Sequence, residues 1–398
     1  MELDTIIVGQ GISGSCLALE LLKRGERIAI FDNDFKGAAC LVAAGVLNPI
    51  TGMRLVKSWK SGVALPFAKK YYKELEKTLG VKFFYEREIL QLCRSNEERE
   101  LWQARKSDPA YADFLSPCSP AGSHKFINDN FGSFKINFAA WVEAGALMKA
   151  LKRHLLGLDI LNLEKFDYAG LSISEGGVSY RGFSAKKIVF CEGWQAIYNP
   201  FFNWLPYRPA KGEILSVELG DSKELKRAST PADGEGSQTK IGANPPENLR
   251  EPARDSPDSS GAGGEIADYI LHRQIWLMHH KGEIFRCGST WDRVNFQDAN
   301  PTAEAKAELS KMLAQLLPKS EFEIVRQEAG VRPCTATTRP HLGAHPKFKN
   351  LYSFNGFGSK GYALSPYFAG HFADYLRGEG ELDKEADLSR HTRKFFKG

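Results

Sequence analysis

The chain is short of cysteine, of long apolar runs and of net charge, and each shortage narrows what it can be. Seven cysteines stand among 398 residues, at positions 16, 40, 93, 118, 191, 287 and 334, with no CxxC pair. That wide, odd-numbered spacing argues against a disulfide framework or a cysteine zinc site and points to a reduced, cytoplasmic set. No apolar stretch reaches the roughly 18 residues of a membrane-spanning helix. The first apolar run, Ile6–Val8, stops at Gly9 and is too short for the core of a signal peptide. The adjacent pair His279–His280 lies in strand-like sequence, where neighbours point to opposite faces, so no metal is assigned. The formal charge is only +5 and no basic cluster stands out, which argues against nucleic acid as a partner. A mildly basic surface does suit an anionic ligand. The oligomeric state is not legible.

What is present is ordinary globular material, 42% hydrophobic and 25% charged. The length suggests two or three domain-sized units. Thr5–Val8 reads as a buried strand, Ser15–Arg24 as a helix stopped by Gly25, and Arg27–Phe31 as a second strand ending at Asp32. Helices are expected at 65–80, Ala139–Leu156, Thr302–Leu317 and Pro366–Leu376. Strands are expected at Phe83–Cys93, Phe134–Ile136, Lys187–Phe190 and Leu351–Asn355, and around Ile160, Leu171 and Val178. Pro209–Val217 and Tyr269–Thr290 read as antiparallel strands. Residues 226–268 are rich in Gly, Pro, Ser, Asp and Glu and read as a disordered surface insertion.

Gly9-Gln10-Gly11-Ile12-Ser13-Gly14 fits GxGxxG, and it has the strand before it, the helix after it and the acid at the next strand end that a dinucleotide site needs. Gly9 permits the tight exit from the strand. Gly11 lets backbone approach a pyrophosphate, and Gly14 lets the helix pack closely. The helix start at Ile12 and Ser13 offers free N–H groups to the phosphates. Asp32 suits two ribose hydroxyls and disfavours a 2′-phosphate, and so NADP. A stretch of small residues that includes Ala43, Ala44 and Gly45 could pass close to a planar ring or simply make a tight helix contact.

The C-terminal third carries a resemblance. Glu328-Ala329-Gly330-Val331-Arg332-Pro333, then Arg339-Pro340-His341-Leu342-Gly343, then Gly356-Phe357-Gly358-Ser359-Lys360-Gly361 follow one another in the order of the D-amino-acid oxidase, glycine oxidase and sarcosine oxidase superfamily, which the chain resembles over nearly all its length outside 226–268. Cys191-Glu192-Gly193, Ala210-Lys211-Gly212-Glu213, Gly288-Ser289-Thr290 and Asn48-Pro49-Ile50-Thr51-Gly52 are similar to further family segments, in order.

The resemblance implies an α/β protein, with a Rossmann-like FAD-binding domain interleaved with a mixed, largely antiparallel substrate domain. The FAD domain would comprise 1–80, 140–205 and 325–398, and the substrate domain 81–139 and 206–324. It implies FAD, and with Cys334 out of register for a covalent tether the cofactor is expected to be non-covalent. Gly193 would lie over the flavin, and Gly356, Phe357, Gly358, Ser359, Lys360 and Gly361 would hold its pyrimidine edge. It also implies hydride transfer from a small amine or amino acid to flavin N5, with Arg332 on the substrate carboxylate and oxygen as acceptor. A structural ion pair of Arg332 with Glu328 is the competing reading of that residue. Arg286 falls near the position of a lysine that assists oxygen in some relatives. Tyr207, Trp291, Trp59 and Tyr362 are candidates for shaping the substrate space. The alternatives are a flavin dehydrogenase with another acceptor, a tRNA-modification oxidoreductase of the same superfamily, and a flavoprotein scaffold without catalysis.

Overall fold

The structure is a computed structural model that describes every residue except Lys36, Met53, residues 220–265 and Gly398. The expected insertion at 226–268 therefore lies, up to residue 265, outside the described residues.

The chain opens with strand β1 (Glu2–Val8), helix α1 (Ile12–Lys23) and strand β2 (Ile28–Phe31). Helices α2 (Ala39–Val42) and α3 (Ser61–Leu79) follow, then strands β3 (Ile89–Leu92) and β4 (Ser133–Ile136). After helix α4 (Ala144–Gly157) come β5 (Leu161–Asn162), β6 (Ser172–Ser174), β7 (Gly177–Tyr180) and β8 (Phe183–Phe190). Next are β9 (Ala210–Leu219), β10 (Ile270–His272), β11 (Trp276–Lys281), β12 (Ile284–Gly288), helix α5 (Ala303–Leu316) and β13 (Phe322–Arg332). The last elements are β14 (His341–Ala344), β15 (Leu351–Asn355) and helix α6 (Gly361–Leu376), with short pieces between them named by range.

Two large sheets position everything else. The first runs β5-β2-β1-β8-β7-β6, with β15 also on β8 and β14 on β15. Its centre is parallel: β1 pairs β2 and β8, and β8 pairs β15. These strands are apolar at successive positions because both faces are covered. Ile7, Ile30, Val189 and Phe354 pack with α1 and α6, while Ile6, Val8, Phe31 and Phe190 pack with Phe166 and Tyr180 on the other side.

The second sheet runs β13-β9-β12-β11-β10-β3-β4 and is antiparallel apart from the β10–β3 pair. Here residues alternate. Leu215, Val217, Leu271, Leu277 and Cys287 pack under Leu309, Leu313 and Leu316 of α5. Their neighbours Ile214, Ile270, His272 and Trp276 face a cavity on the other side. Thr302 caps α5 by accepting from the Ala305 N–H, and Glu213 in turn accepts from the Thr302 N–H and hydroxyl at 2.9 Å each.

Three expectations change. The apolar run Ala140–Val142 is a strand, not the start of a helix; it pairs with Phe84–Glu86 and Val46–Leu47, and α4 begins only at Ala144. The last helix starts at Gly361, so Pro366 lies inside it. The single strand expected over Phe83–Cys93 is split into Phe84–Glu86 and β3, which join different sheets.

The tightest contact in the first sheet is at Gly14, where an added Cβ would sit 1.9 Å from the Gly9 carbonyl oxygen. That atom is backbone and cannot swing away. Gly14→Ala is expected to lower stability by roughly 1–3 kcal/mol, as overpacking of a rigid site does. Denaturant unfolding checks this, and an unchanged midpoint would contradict the close approach.

Candidate cofactor and substrate site

A continuous cavity of about 1000 Å³ runs from the C-terminal ends of β1, β2 and β8 to the inner face of the second sheet. Its nucleotide end is built by the glycine turn. Gly9, Gly11, Ile12, Ser13 and Asp32 line it. Gly9 takes φ +103°, and a side chain there would drive into the Cys191 carbonyl at 2.5 Å. Gly14 lies behind the lining, where its role is helix–strand packing. No side chain caps the start of α1 and no acid stands in its first turn, so its N–H groups and positive dipole end are left for an anionic ligand. Asp32 is oriented by the Gln10 and Asp34 N–H groups, each 2.7 Å from one carboxylate oxygen.

Sequence reasoning missed Glu192. It lines the cavity beside Gly193, where Tyr168 O–H and Asn199 Nδ2 donate to its two oxygens. Burial dominates and pushes its carboxyl up to about 7, against the two hydrogen bonds that favour the anion. Its segment resembles a family motif, yet nothing local marked Glu192 itself as a site residue, because its partners come from 7 and 24 residues away and meet only in the fold.

The middle of the cavity is lined by Ala43, Ala44, Gly45 and Gly193 on one side. Phe357, Gly358, Ser359, Lys360 and Gly361 line it at the start of α6. Gly45 is forced: at φ +71° an added Cβ would fall 1.9 Å from the Val142 carbonyl. Gly356 does not line the cavity; at φ +84° it makes the turn and packs on Thr335. Lys360 has no ion-pair partner among the described residues, and burial together with Arg339 lowers its pKa. Two thiols stand nearby, Cys40 in the lining and Cys334 close to Gly358. Both are free, and burial pushes both up, Cys40 to about 11.

At the far end Arg332 leaves β13 and lays its guanidinium across β9. An added Cβ on Gly212 would be 2.1 Å from Arg332 Nη2, so only glycine leaves that path open. Nη2 donates to Ser289 Oγ at 2.6 Å, Nη1 reaches the Thr290 and Lys211 carbonyls at 3.3 and 3.4 Å, and the group stacks 4.8 Å from the Trp291 ring. No carboxylate pairs with it among the described residues. Glu328 is engaged elsewhere, with Arg286 at 3.4 Å and Arg326 at 2.9 Å.

Arg286 lies outside the cavity lining. It is buried behind α2 and donates to the Val42 carbonyl at 3.1 Å, so it braces the segment that forms the cavity wall. Of the aromatic candidates, Trp59, Trp291 and Tyr362 line the cavity and Tyr207 does not. Tyr362 donates to the Cys40 carbonyl at 2.5 Å, and Trp59 to Glu385 at 2.8 Å.

The family model described as FAD dependent oxidoreductase, DAO, matches residues 4–375. The chain belongs to this family. A glycine oxidase of Bacillus licheniformis is 25% identical over 399 residues, covering 94% of this chain and 93% of the relative. Among solved structures, glycine oxidase from Geobacillus kaustophilus superposes with a TM-score of 0.73 at 19% identity, covering 98% of this chain and 99% of the other. L-proline dehydrogenase from P. horikoshii also gives 0.73, at 15% identity, covering 100% and 99%. At these identities the structures speak for the fold alone.

The protein is an FAD-dependent oxidoreductase with the amine and amino-acid oxidase type of fold. The cavity fits that cofactor. It joins an uncapped helix start and an acid to a long, mainly apolar channel in which Gly9, Gly45 and Gly212 stand where a side chain has no room. Among the described residues no helix is long and apolar enough to cross a membrane.

Glu192 gives a pH prediction. Its folded value near 7 stands above the ordinary 4.5, so the folded state binds the extra proton between them. Stability is therefore highest below about 4.5 for this group and falls as pH rises toward and past 7, by up to about 3 kcal/mol. Denaturant titrations from pH 4.5 to 8 should show wild type losing stability relative to Glu192→Gln over that window. Parallel curves would rule out a buried proton at Glu192.

Proposed function

We propose that the protein oxidises a small amine or amino acid at its amine-bearing carbon, with Arg332 holding a substrate carboxylate and oxygen as the acceptor. The observation that carries this is the half-buried Arg332 guanidinium, fixed by Ser289 and Trp291 and left without an acidic partner among the described residues at the end of the cavity. A planar cation held this way matches a carboxylate in a bidentate pair. FAD, when bound, supplies the ring that accepts the hydride.

The residues of this chain do the rest. Gly9, Gly11, Ile12, Ser13 and Asp32 would hold the nucleotide half, without a covalent tether, since desolvation pushes the Cys40 and Cys334 thiols up and away from the reactive thiolate. The 43–45 segment, Gly193 and the 357–361 turn would flank the ring. Arg332 orients the substrate so that its C–H faces the ring, and orientation carries much of the rate. The substrate loses a hydride from carbon and a proton from nitrogen, and the resulting imine is hydrolysed by water. On this reading residues 1–80, 140–205 and 325–398 hold the cofactor, and 81–139 and 206–324 cover it. Arg286 acts only by bracing Val42. Lys360, which lines the cavity and has no ion-pair partner among the described residues, would be the cation that favours oxygen at the ring.

Two measurements test this. An amino-acid and amine panel, followed by anaerobic bleaching of the flavin, should find reducing substrates. Arg332→Ala should weaken carboxylate-bearing ones by about 100-fold or more in kcat/KM, in line with losing a charged hydrogen-bonded pair, while FAD stays bound. Gly212→Ala should do the same in milder form by displacing the guanidinium, and unchanged kinetics in both would remove Arg332 from the site. Lys360→Met should slow reoxidation by oxygen by about tenfold or more, as loss of a positioned charge does, with anaerobic reduction little changed. Fast turnover with an artificial acceptor and no peroxide would favour a dehydrogenase instead.

A further inference from the structure

His272 is a cavity residue that no sequence motif singled out. It sits at the end of β10, with its pleat neighbour Ile270 also facing the cavity and Leu271 between them facing α5. Its ring is held from behind. Nδ1 lies 2.6 Å from Gln91 Oε1, and the Gln91 amide is oriented by its own donation to the Leu92 carbonyl. With Gln91 presenting oxygen, Nδ1 carries the proton and donates, which leaves Nε2 as a bare acceptor. Burial keeps the ring neutral, pushing it down to about 4. Nε2 has no partner among the described residues, and it is not one of the enclosed unpartnered atoms of the core, so its lone pair opens into the cavity.

The sheet register sets the distance from His272 to Arg332. His272 pairs with Trp276, Trp276 pairs with Gly288, and Ser289 next to Gly288 holds the Arg332 guanidinium. The guanidinium lies between Ser289, just past β12, and Gly212 on β9, so two to three strand spacings of ~4.8 Å separate His272 from it, roughly 10–14 Å. Trp276 lines the cavity on the strand between them. A glycine-sized ligand on Arg332 spans only a fraction of that gap.

We propose that His272 is a second recognition point for the substrate, its Nε2 accepting a hydrogen bond from a hydroxyl, amide or ammonium group at the far end of a ligand whose carboxylate sits on Arg332, two to three strand spacings away. The inference deepens the amine-oxidation reading and rests on it for the direction of the substrate. It assigns the enzyme a substrate of extended shape, an amino acid or amine acid with a donor at its far end and an apolar stretch over Trp276. His272 is then a specificity-determining residue and takes no proton from the reacting carbon.

The test uses the FAD-loaded protein and two readouts. The first is the binding of carboxylates that cannot be oxidised, 5-hydroxypentanoate against pentanoate, read from the perturbed flavin absorbance. The second is anaerobic flavin reduction by both enantiomers of 5-hydroxynorvaline and norvaline. The ratio of hydroxyl to alkyl ligand should fall about tenfold in His272→Phe, the scale of one hydrogen bond lost with its donor left buried. That fall should appear in Kd and KM rather than kcat, and His272→Gln, which keeps an acceptor, should restore much of it. A ratio equal in wild type and His272→Phe overturns the proposal, as does glycine outperforming every longer amino acid. The carboxylate pair decides His272 even if no amine tried reduces the flavin. If Arg332→Ala leaves acid binding unchanged, the reading of Arg332 fails, and the hydroxyl-to-alkyl ratio still decides His272.

Discussion

The whole arrangement depends on backbone contacts that leave no room for a side chain, at the point where β1, α1 and β8 meet. Gly14 lies against the Gly9 carbonyl, and Gly9 lies against the Cys191 carbonyl. Together they bring the uncapped start of α1 onto the C-terminal ends of the two central parallel strands. Parallel strands end on the same side, so Asp32 at the end of β2 and Glu192 at the end of β8 arrive at the same place as the helix dipole. A site for an anion flanked by acceptors follows from packing alone, before any ligand is considered.

The second sheet repeats the logic with different means. An antiparallel sheet buried on one face by α5 can offer its other face to a cavity, because side chains alternate. That freedom has a cost: side chains on the open face compete for space. The sequence resolves the competition with Gly212, Gly288 and Gly330 on neighbouring strands. Gly212 clears the path of Arg332, and Gly330 lets α2 approach, its missing Cβ facing Val42. Arg286, on the same face, is covered by that approach and holds the Val42 carbonyl. One arginine thus fixes a wall while another remains open to the space the wall encloses.

Much of this was legible in the sequence, for identifiable reasons. Gly9 to Asp32 form one local unit, and each residue's task follows from spacing. Leu351–Asn355 carries Leu, Tyr and Phe between Asn350 and Gly356, and the expected strand has the observed limits. The helix Asn96–Ser107 escaped because it is highly charged, buries few residues and gives almost no apolar period, although Ser95 caps it. Ala140–Val142 was taken into a helix because a three-residue apolar strand cannot be told from a helix start by period alone. Glu192, His272 and Gln91 were silent for a different reason. Their setting is created by long-range pairing, β10 on β3 and β8 near Tyr168, which no local pattern encodes.

Buried Arg286 and half-buried Arg332 are held in opposite ways. A buried guanidinium is costly unless it is paired or fully hydrogen-bonded. Arg286 meets this demand in part with Glu328 and Val42. Arg332 meets it with a hydroxyl, two carbonyls at the edge of hydrogen-bond range and an indole face, none of them charged. Glu328 is four residues away along the same strand and faces the same side, yet it is spent on Arg286 and Arg326. The fold therefore withholds an internal counter-ion from Arg332 while keeping its geometry fixed. A charge held rigid and unneutralised at a cavity wall is more stable when an anion enters, which supports the carboxylate proposed for the end of the cavity where Ser289 and Trp291 hold Arg332.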